Sequence, residues 1–198
     1  MVNAQKNGGG FTGGIQAGMS IANYTGVAGN PSTRSGGTLG VLWDVKIYKG
    51  LSLQPTFNFL TQLGYKESPT ATTATSIKVN NMEAKMNFVY HVTEDKVDFF
   101  IGAGPSASIA INGKWMYRNG TTYSGKDVTF GNKTTNDLRS LDLGVSGLIG
   151  FRFLKTFFIS GTYNRGLRNL TPNGASPSIN SHYYAINVGC LISQKSKK

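Results

Sequence analysis

Few residues of this chain could do chemistry, and their spacing narrows what that chemistry could be. Cys190 is the single cysteine, so no internal disulfide can form. Neither it nor His91 and His182 stands at zinc-ligand spacing from further ligands. His182 could join Ser181 or Asp137 in a hydrolase or acyltransferase. A nucleophile elbow is missing, however, and Gly102-Ala103-Gly104 lies in an alternating apolar run with no helix behind it to cradle a phosphate. Those glycines are expected to serve packing. His91 falls on a polar face near a short turn, where an internal hydrogen bond is the simplest role. Three carboxylates and three cations remain: Asp44, Glu83 and Asp142 with Lys46, Lys85 and Arg152. They could act as acids and bases, but equal numbers of opposite charges on one face favour a network of ion pairs in a closed interior. No catalytic residue, metal ligand or cofactor site is expected, and the chain is not expected to be an enzyme.

The elements that must position these residues follow from composition and periodicity. Among 198 residues, 26 are glycine and only 15% are charged, against roughly 25% charged in an average soluble domain. That composition excludes a coiled coil and an acidic disordered chain. Every apolar stretch is broken within a few positions, well short of the roughly 18 residues a membrane helix needs. One domain is expected over residues 1–198, with a flexible segment at 1–12 and a basic tail at 194–198. Val2-Asn3-Ala4 before Gln5 has the small residues that end a secretory signal.

The decisive signal is alternation with period two, the mark of strands whose faces meet different surroundings. It is clearest from Leu39 to Tyr48, Leu51 to Tyr65, Phe99 to Asn112 and Leu141 to Phe153, and weaker from Ile15 to Asn23, Met82 to Val92, Phe157 to Tyr163 and Tyr184 to Ser193. Connections alternate between short (48–50, 93–97, 154–156) and long (24–37, 66–76, 113–137, 168–181). The expected fold is all-β, an eight-stranded up-and-down antiparallel transmembrane β-barrel, whose closure removes the exposed edges of such long strands. Residue size sets the facing. The polar face carries Gly102, Gly104, Ser106, Ser108, Gly144, Ser146 and Gly150, small enough to leave room in a narrow lumen for Lys46, Lys85 and Arg152. The apolar face, including the odd positions of 51–65, is too bulky for that interior and belongs in lipid. Tyr48, Phe99, Phe100, Phe151, Phe153, Phe157 and Phe158 gather at the short-turn end, as an interfacial girdle would. A soluble lipid-binding barrel is the alternative if the facing is reversed.

Four stretches, GGIQAGMSIANY (13–24), GVLWDVKIYKGLSLQPTFNFLTQLGYK (40–66), FFIGAGPSASI (99–109) and DLGVSGLIGFRF (142–153), resemble the outer-membrane β-barrel domain common in Bacteroidetes-type bacteria, akin to OmpA-like eight-stranded barrels. The resemblance implies the bacterial outer membrane, long loops outside and both termini in the periplasm. Such barrels end on a strand with a terminal aromatic. Here Gly189-Cys190-Leu191-Ile192-Ser193 leaves the register of the last strand open.

Charge points to partners. Ten basic residues face three acidic ones in the long-connection half, which carries +7 of the total +11. Outer-membrane lipids, above all lipopolysaccharide phosphates, are the matching counter-charge. No nucleic-acid module accompanies the basic residues. The stretch 113–137 contains an Asn119-Gly120 turn between alternating segments and is expected to form a hairpin beyond the membrane. Its Lys114, Trp115, Tyr117, Arg118, Tyr123 and Lys126 form a candidate surface for an extracellular ligand, through which a monomeric barrel would act in adhesion, recognition or envelope structure.

Overall fold

The computed structural model describes residues 11–27, 31–66, 73–93, 97–174 and 176–193. The flexible start and basic tail expected from sequence fall largely outside these residues. Among the described residues nine strands form: β1 (Phe11–Thr25), β2 (Ser32–Tyr48), β3 (Leu51–Lys66), β4 (Thr73–His91), β5 (Val97–Asn119), β6 (Thr122–Asp127), β7 (Leu141–Phe153), β8 (Phe157–Gly166) and β9 (Asn180–Ser193). Their order is β4-β3-β2-β1-β9-β8-β7-β5-β6, and a further β4–β5 pairing closes the ring. Among the described residues, β6 alone stands outside the wall, so the barrel has eight strands. All pairings in it are antiparallel. The last strand is in register with both neighbours, Gly189 opposite Gln16 on β1 and Phe158 on β8.

The facing inferred from residue size holds. Ile15, Met19 and Ile21 on β1, Leu143, Val145, Ile149 and Phe151 on β7, and Ile186, Val188 and Ile192 on β9 are all exposed, forming a continuous apolar belt. Alternate residues such as Asn58, Glu83, Asn87, Asp142 and Asn187 are buried inside. A closed barrel satisfies every wall hydrogen bond internally, which lipid requires.

Several expectations are corrected. The long connections expected at 24–37 and 66–76 shrink, because β1 and β2 run on to Thr25 and from Ser32, and β3 and β4 to Lys66 and from Thr73. Above the apolar belt both faces of a strand can be polar, so pairing continues while alternation vanishes. The odd positions of β3 face lipid only as far as Phe59. The register shifts between Asn58 and Thr61, leaving Phe59 and Leu60 both off the lumen, and beyond this bulge Thr61, Leu63 and Tyr65 turn inward. Phe100 and Phe158 leave the girdle too. They are buried with Leu42, Val89, Leu148 and Leu191 in an apolar layer inside the short-turn half of the barrel.

A second apolar cluster seals the other mouth. Tyr24, Leu63, Tyr65, Ile77, Val79 and Tyr183 of the wall pack with Val128, Leu138 and Leu170 of the long connections. Those connections are held by backbone bonds, Val128 N to Gly113 O at 2.9 Å, Arg139 N to Leu170 O at 2.8 Å and Leu170 N to Ile179 O at 2.8 Å. A short 3-10 turn, Pro172–Gly174, lies within the last connection.

Candidate functional site

The inward residues divide into two polar layers. Near the short turns, Arg152 Nη2 lies 2.8 Å from Asp44 Oδ2 and 3.5 Å from Asp98 Oδ2, and His91 Nδ1 lies 2.6 Å from Asp98 Oδ2. His91 Nε2 is 2.9 Å from Ser52 Oγ. Ser52, His91 and Asp98 are thus aligned like nucleophile, base and orienting acid. Ser52 is fully buried, and Arg152 Nη2 lies 3.0 and 3.2 Å from the two ring nitrogens of His91, which places the guanidinium over the ring. That arrangement fixes side chains and holds the hydroxyl away from solvent.

In the middle of the lumen Glu83 is the hub. Its carboxylate pairs with Lys85 Nζ at 3.1 Å and accepts hydrogen bonds from Tyr183 Oη at 2.7 Å, Asn58 Nδ2 at 3.0 Å and Thr61 Oγ1 at 3.3 Å. Lys85 Nζ also lies 5.2 Å from the Tyr183 ring centre, a cation–π contact. Gln16 donates to Asn58, and Thr38 donates to Asn187.

Of the pairings Lys46–Asp44, Lys85–Glu83 and Arg152–Asp142 that the order of charges suggests, the second forms and the other two are replaced. Lys46 is exposed beside the β2–β3 turn, because the strand reaches the rim there. Asp142 lies under the apolar cap and accepts a 2.5 Å hydrogen bond from Ser181 Oγ, since Arg152 sits at the opposite end of β7 and pairs with Asp44. Asp142 needs the absent side chain of Gly166, where an added Cβ would collide with both Asp142 and Ser181 Oγ. Among the described residues its Oδ1 and Arg139 Nε are buried without hydrogen-bond partners, and both residues line a cavity of about 10 Å³, room for a single water. Sequence reasoning missed Asp98, which it left between the 93–97 connection and the strand from Phe99, and the hub role of Tyr183, which reads as one more aromatic.

The candidate hydrolase set does not assemble. Ser181 faces inward to Asp142, while His182, the next residue along β9, faces outward as strand geometry demands. Asp137 instead accepts from Thr129 N and Oγ1, both at 2.8 Å.

Outside the belt, the expected hairpin is present. β6 pairs with the end of β5 through Asn119↔Thr122, and Gly120 at φ 58° supplies the left-handed turn residue. Because β4 pairs with the same stretch, β4, β5 and β6 form a three-stranded extension of the wall. The six candidate residues divide between its faces, since directly paired residues share a face. Trp115 is paired with Ile77 and Lys126, on the side that turns to the cap. Its ring meets Tyr65 edge-on at 6.5 Å and stacks with Tyr117 at 6.4 Å. Lys114, paired with Lys78 and Asp127, and Arg118, paired with Tyr123, lie on the other face. The edge of the lipid belt is marked there by a ladder of amides: Gln62 Nε2 donates to Asn80 Oδ1 at 3.1 Å, and Asn80 Nδ2 to Asn112 Oδ1 at 2.7 Å.

Solved structures share this architecture. The outer membrane protein OprG of Pseudomonas aeruginosa aligns at 9% identity and a TM-score of 0.52, covering 94% of this chain and 97% of that one. The outer membrane enzyme PagL aligns at 14% identity and 0.50, covering 89% and 97%. Ail of Yersinia pestis aligns at 12% identity and 0.48, covering 93% and 99%. At such identities the likeness concerns the fold alone. A search of curated proteins found no match. The family model for the outer membrane protein beta-barrel domain matches residues 3–171. With a closed eight-stranded wall, an apolar belt and a polar, ion-paired lumen, this chain belongs to the outer membrane protein beta-barrel domain family and resides in the bacterial outer membrane.

Proposed function

We propose that this protein is a non-enzymatic recognition module that binds polyanionic ligands outside the outer leaflet on the outward face of the β4–β5–β6 extension. The observation that carries the reading is the direct pairing of Lys78 with Lys114 on that face, with Arg118 further along β5. Like charges placed side by side are unfavourable unless an anion lies between them, and Asp127 meets Lys114 on the far side only. The sealed lumen supports the same reading, because it leaves the exterior as the surface available to a ligand.

The test is binding of the full chain in detergent micelles to dextran sulfate, a polyanion without acyl chains, over a series of salt concentrations. Lys78→Gln, Lys114→Gln and Arg118→Gln together should lower affinity more than about tenfold and flatten its salt dependence, as loss of three charge-assisted contacts predicts. Unchanged affinity in the triple variant refutes the assignment.

A further inference from the structure

The other side of the barrel carries a groove in its lipid-facing wall. Two consecutive rows of paired residues cross β5, β7, β8 and β9 there: Ile101–Ile149–Gly161–Ile186, and Ala103–Gly147–Tyr163–Tyr184. Both glycines face outward. A Cβ on Gly147 would meet nothing within 4 Å, and one on Gly161 would meet little besides Ile149 at 3.8 Å. The result is a depression of about 520 Å³ in the apolar belt, walled by Ile101 and Ile149 on one side and by Tyr163, Tyr184 and Ile186 on the other. Such a volume falls in the roughly 300–1,000 Å³ range of small-molecule sites.

Its outer end is polar. Tyr163 and Tyr184 lie with ring centres 4.8 Å apart. In the next row outward Arg165 pairs with His182, and Arg165 is exposed. A guanidinium and an imidazole above two tyrosines stand where the apolar belt ends, the depth at which headgroup phosphates lie.

Two occupants fit an apolar groove in a bilayer, a lipid chain or a second barrel. Small residues invite close approach of another protein surface. A two-fold contact centred on this groove would bring the Arg165 side chains of both copies together, and that repulsion disfavours the dimer. We infer that the groove seats one acyl chain of a phosphorylated outer-leaflet glycolipid of the lipopolysaccharide class, with its phosphate held by Arg165 and His182. This site is separate from the hairpin surface proposed above.

The test is lipid retention by the full chain, measured by native mass spectrometry after mixing with bis-phosphorylated lipid A, lipid A stripped of phosphate, or phosphatidylethanolamine. The wild type should retain one bis-phosphorylated lipid A and little phosphatidylethanolamine. Gly147→Leu with Gly161→Leu fills the groove and should reduce retention of both lipid A forms at least about tenfold, while Arg165→Gln should remove only the preference for the phosphorylated form. Gly161→Ala, with less added bulk, should give an intermediate loss, and the heat-dependent gel shift of a folded barrel verifies each variant. The Lys78, Lys114 and Arg118 triple variant should retain the lipid normally. Unchanged retention with the groove filled, equal retention of phosphatidylethanolamine, or loss of lipid in the hairpin variant would each overturn the inference. So would a dimer that disappears when the groove is filled.

Discussion

Replacing Arg152 with methionine should destabilise the barrel by about 3–5 kcal/mol, the usual cost of removing one partner from a buried charge network. The guanidinium lies 2.8 Å from Asp44 and 3.5 Å from Asp98, and side-chain exposure is 14% for Arg152 and 3% for Asp44. At an effective dielectric of about 20 these contacts amount to roughly 6 and 5 kcal/mol of attraction, most of it offset by the desolvation of three ions. Without the arginine that desolvation remains and only His91 faces the two carboxylates. Methionine keeps much of the stem volume, so the loss is electrostatic rather than a cavity effect. Asp44→Asn alone should also destabilise, because it removes the arginine's shortest contact, whereas the double variant should be more stable than the sum of the single losses by at least about 1 kcal/mol, the coupling expected of neighbours in one network. Equilibrium urea unfolding in lipid vesicles, followed by tryptophan fluorescence, measures all four proteins. Strict additivity, or an Arg152→Met loss below about 1 kcal/mol, would refute the account of a mutually dependent cluster.

Ile149→Arg, on the lipid face near the middle of β7, should cost about 2–4 kcal/mol in the same unfolding assay, while Phe59→Arg, close below the amide ladder, should cost less. Leu138→Ala should cost about 2–5 kcal/mol, because it opens the buried cluster that seals the outer mouth. Replacing residues 116–125 with a short glycine-rich turn should leave a folded barrel by gel shift, whereas removing 114–136 also takes Val128 from the cap and should lower the urea midpoint. Planar-bilayer recordings should show no porin-like steps, because side chains fill an eight-stranded lumen.

The membrane-embedded half of the fold was legible because lipid on one side and a narrow lumen on the other force strict alternation. Leu141 to Phe153 were delimited to the residue for that reason. Outside the belt the same physics conceals structure. Ser32 to Thr38 has polar residues on both faces, so its continuation as strand leaves no periodic trace, and from Ser76 to Asn80 the alternation is inverted, with Ile77 and Val79 turned inward to the cap. A bulge defeats pattern reading in another way, since inserting one residue at Phe59–Leu60 turns Leu63 and Tyr65 from lipid to core without altering their apolar character. Of the lumen ions, Asp44, Glu83, Lys85 and Arg152 could be placed inside from the facing alone, but of their pairings only Glu83 with Lys85. Asp98 and Ser52 lie beside short turns, and their role appears only once β3, β4, β5 and β7 are side by side. Which face of the hairpin turns outward follows from the irregularity between Asn80 and Asn81 opposite Asn112 and Ala110, which composition does not reveal.

Strand β5 continues for 23 residues from Val97 to Asn119 without a break. Its stretch beyond the amide ladder, from Gly113 to the Asn119 turn, extends roughly 20 Å at about 3.3 Å per residue. Because that stretch is bonded to β4 on one side and β6 on the other, the extension is a stiff mast whose base is part of the barrel wall. A ligand caught near Gly120 would therefore load the membrane strands directly, through peptide hydrogen bonds in shear, the direction in which many bonds must break together. Tension on the cell surface would reach the envelope through β4 and β5, and the bulge opposite Asn80 and Asn81 is the point where that load would meet its first irregular pairing.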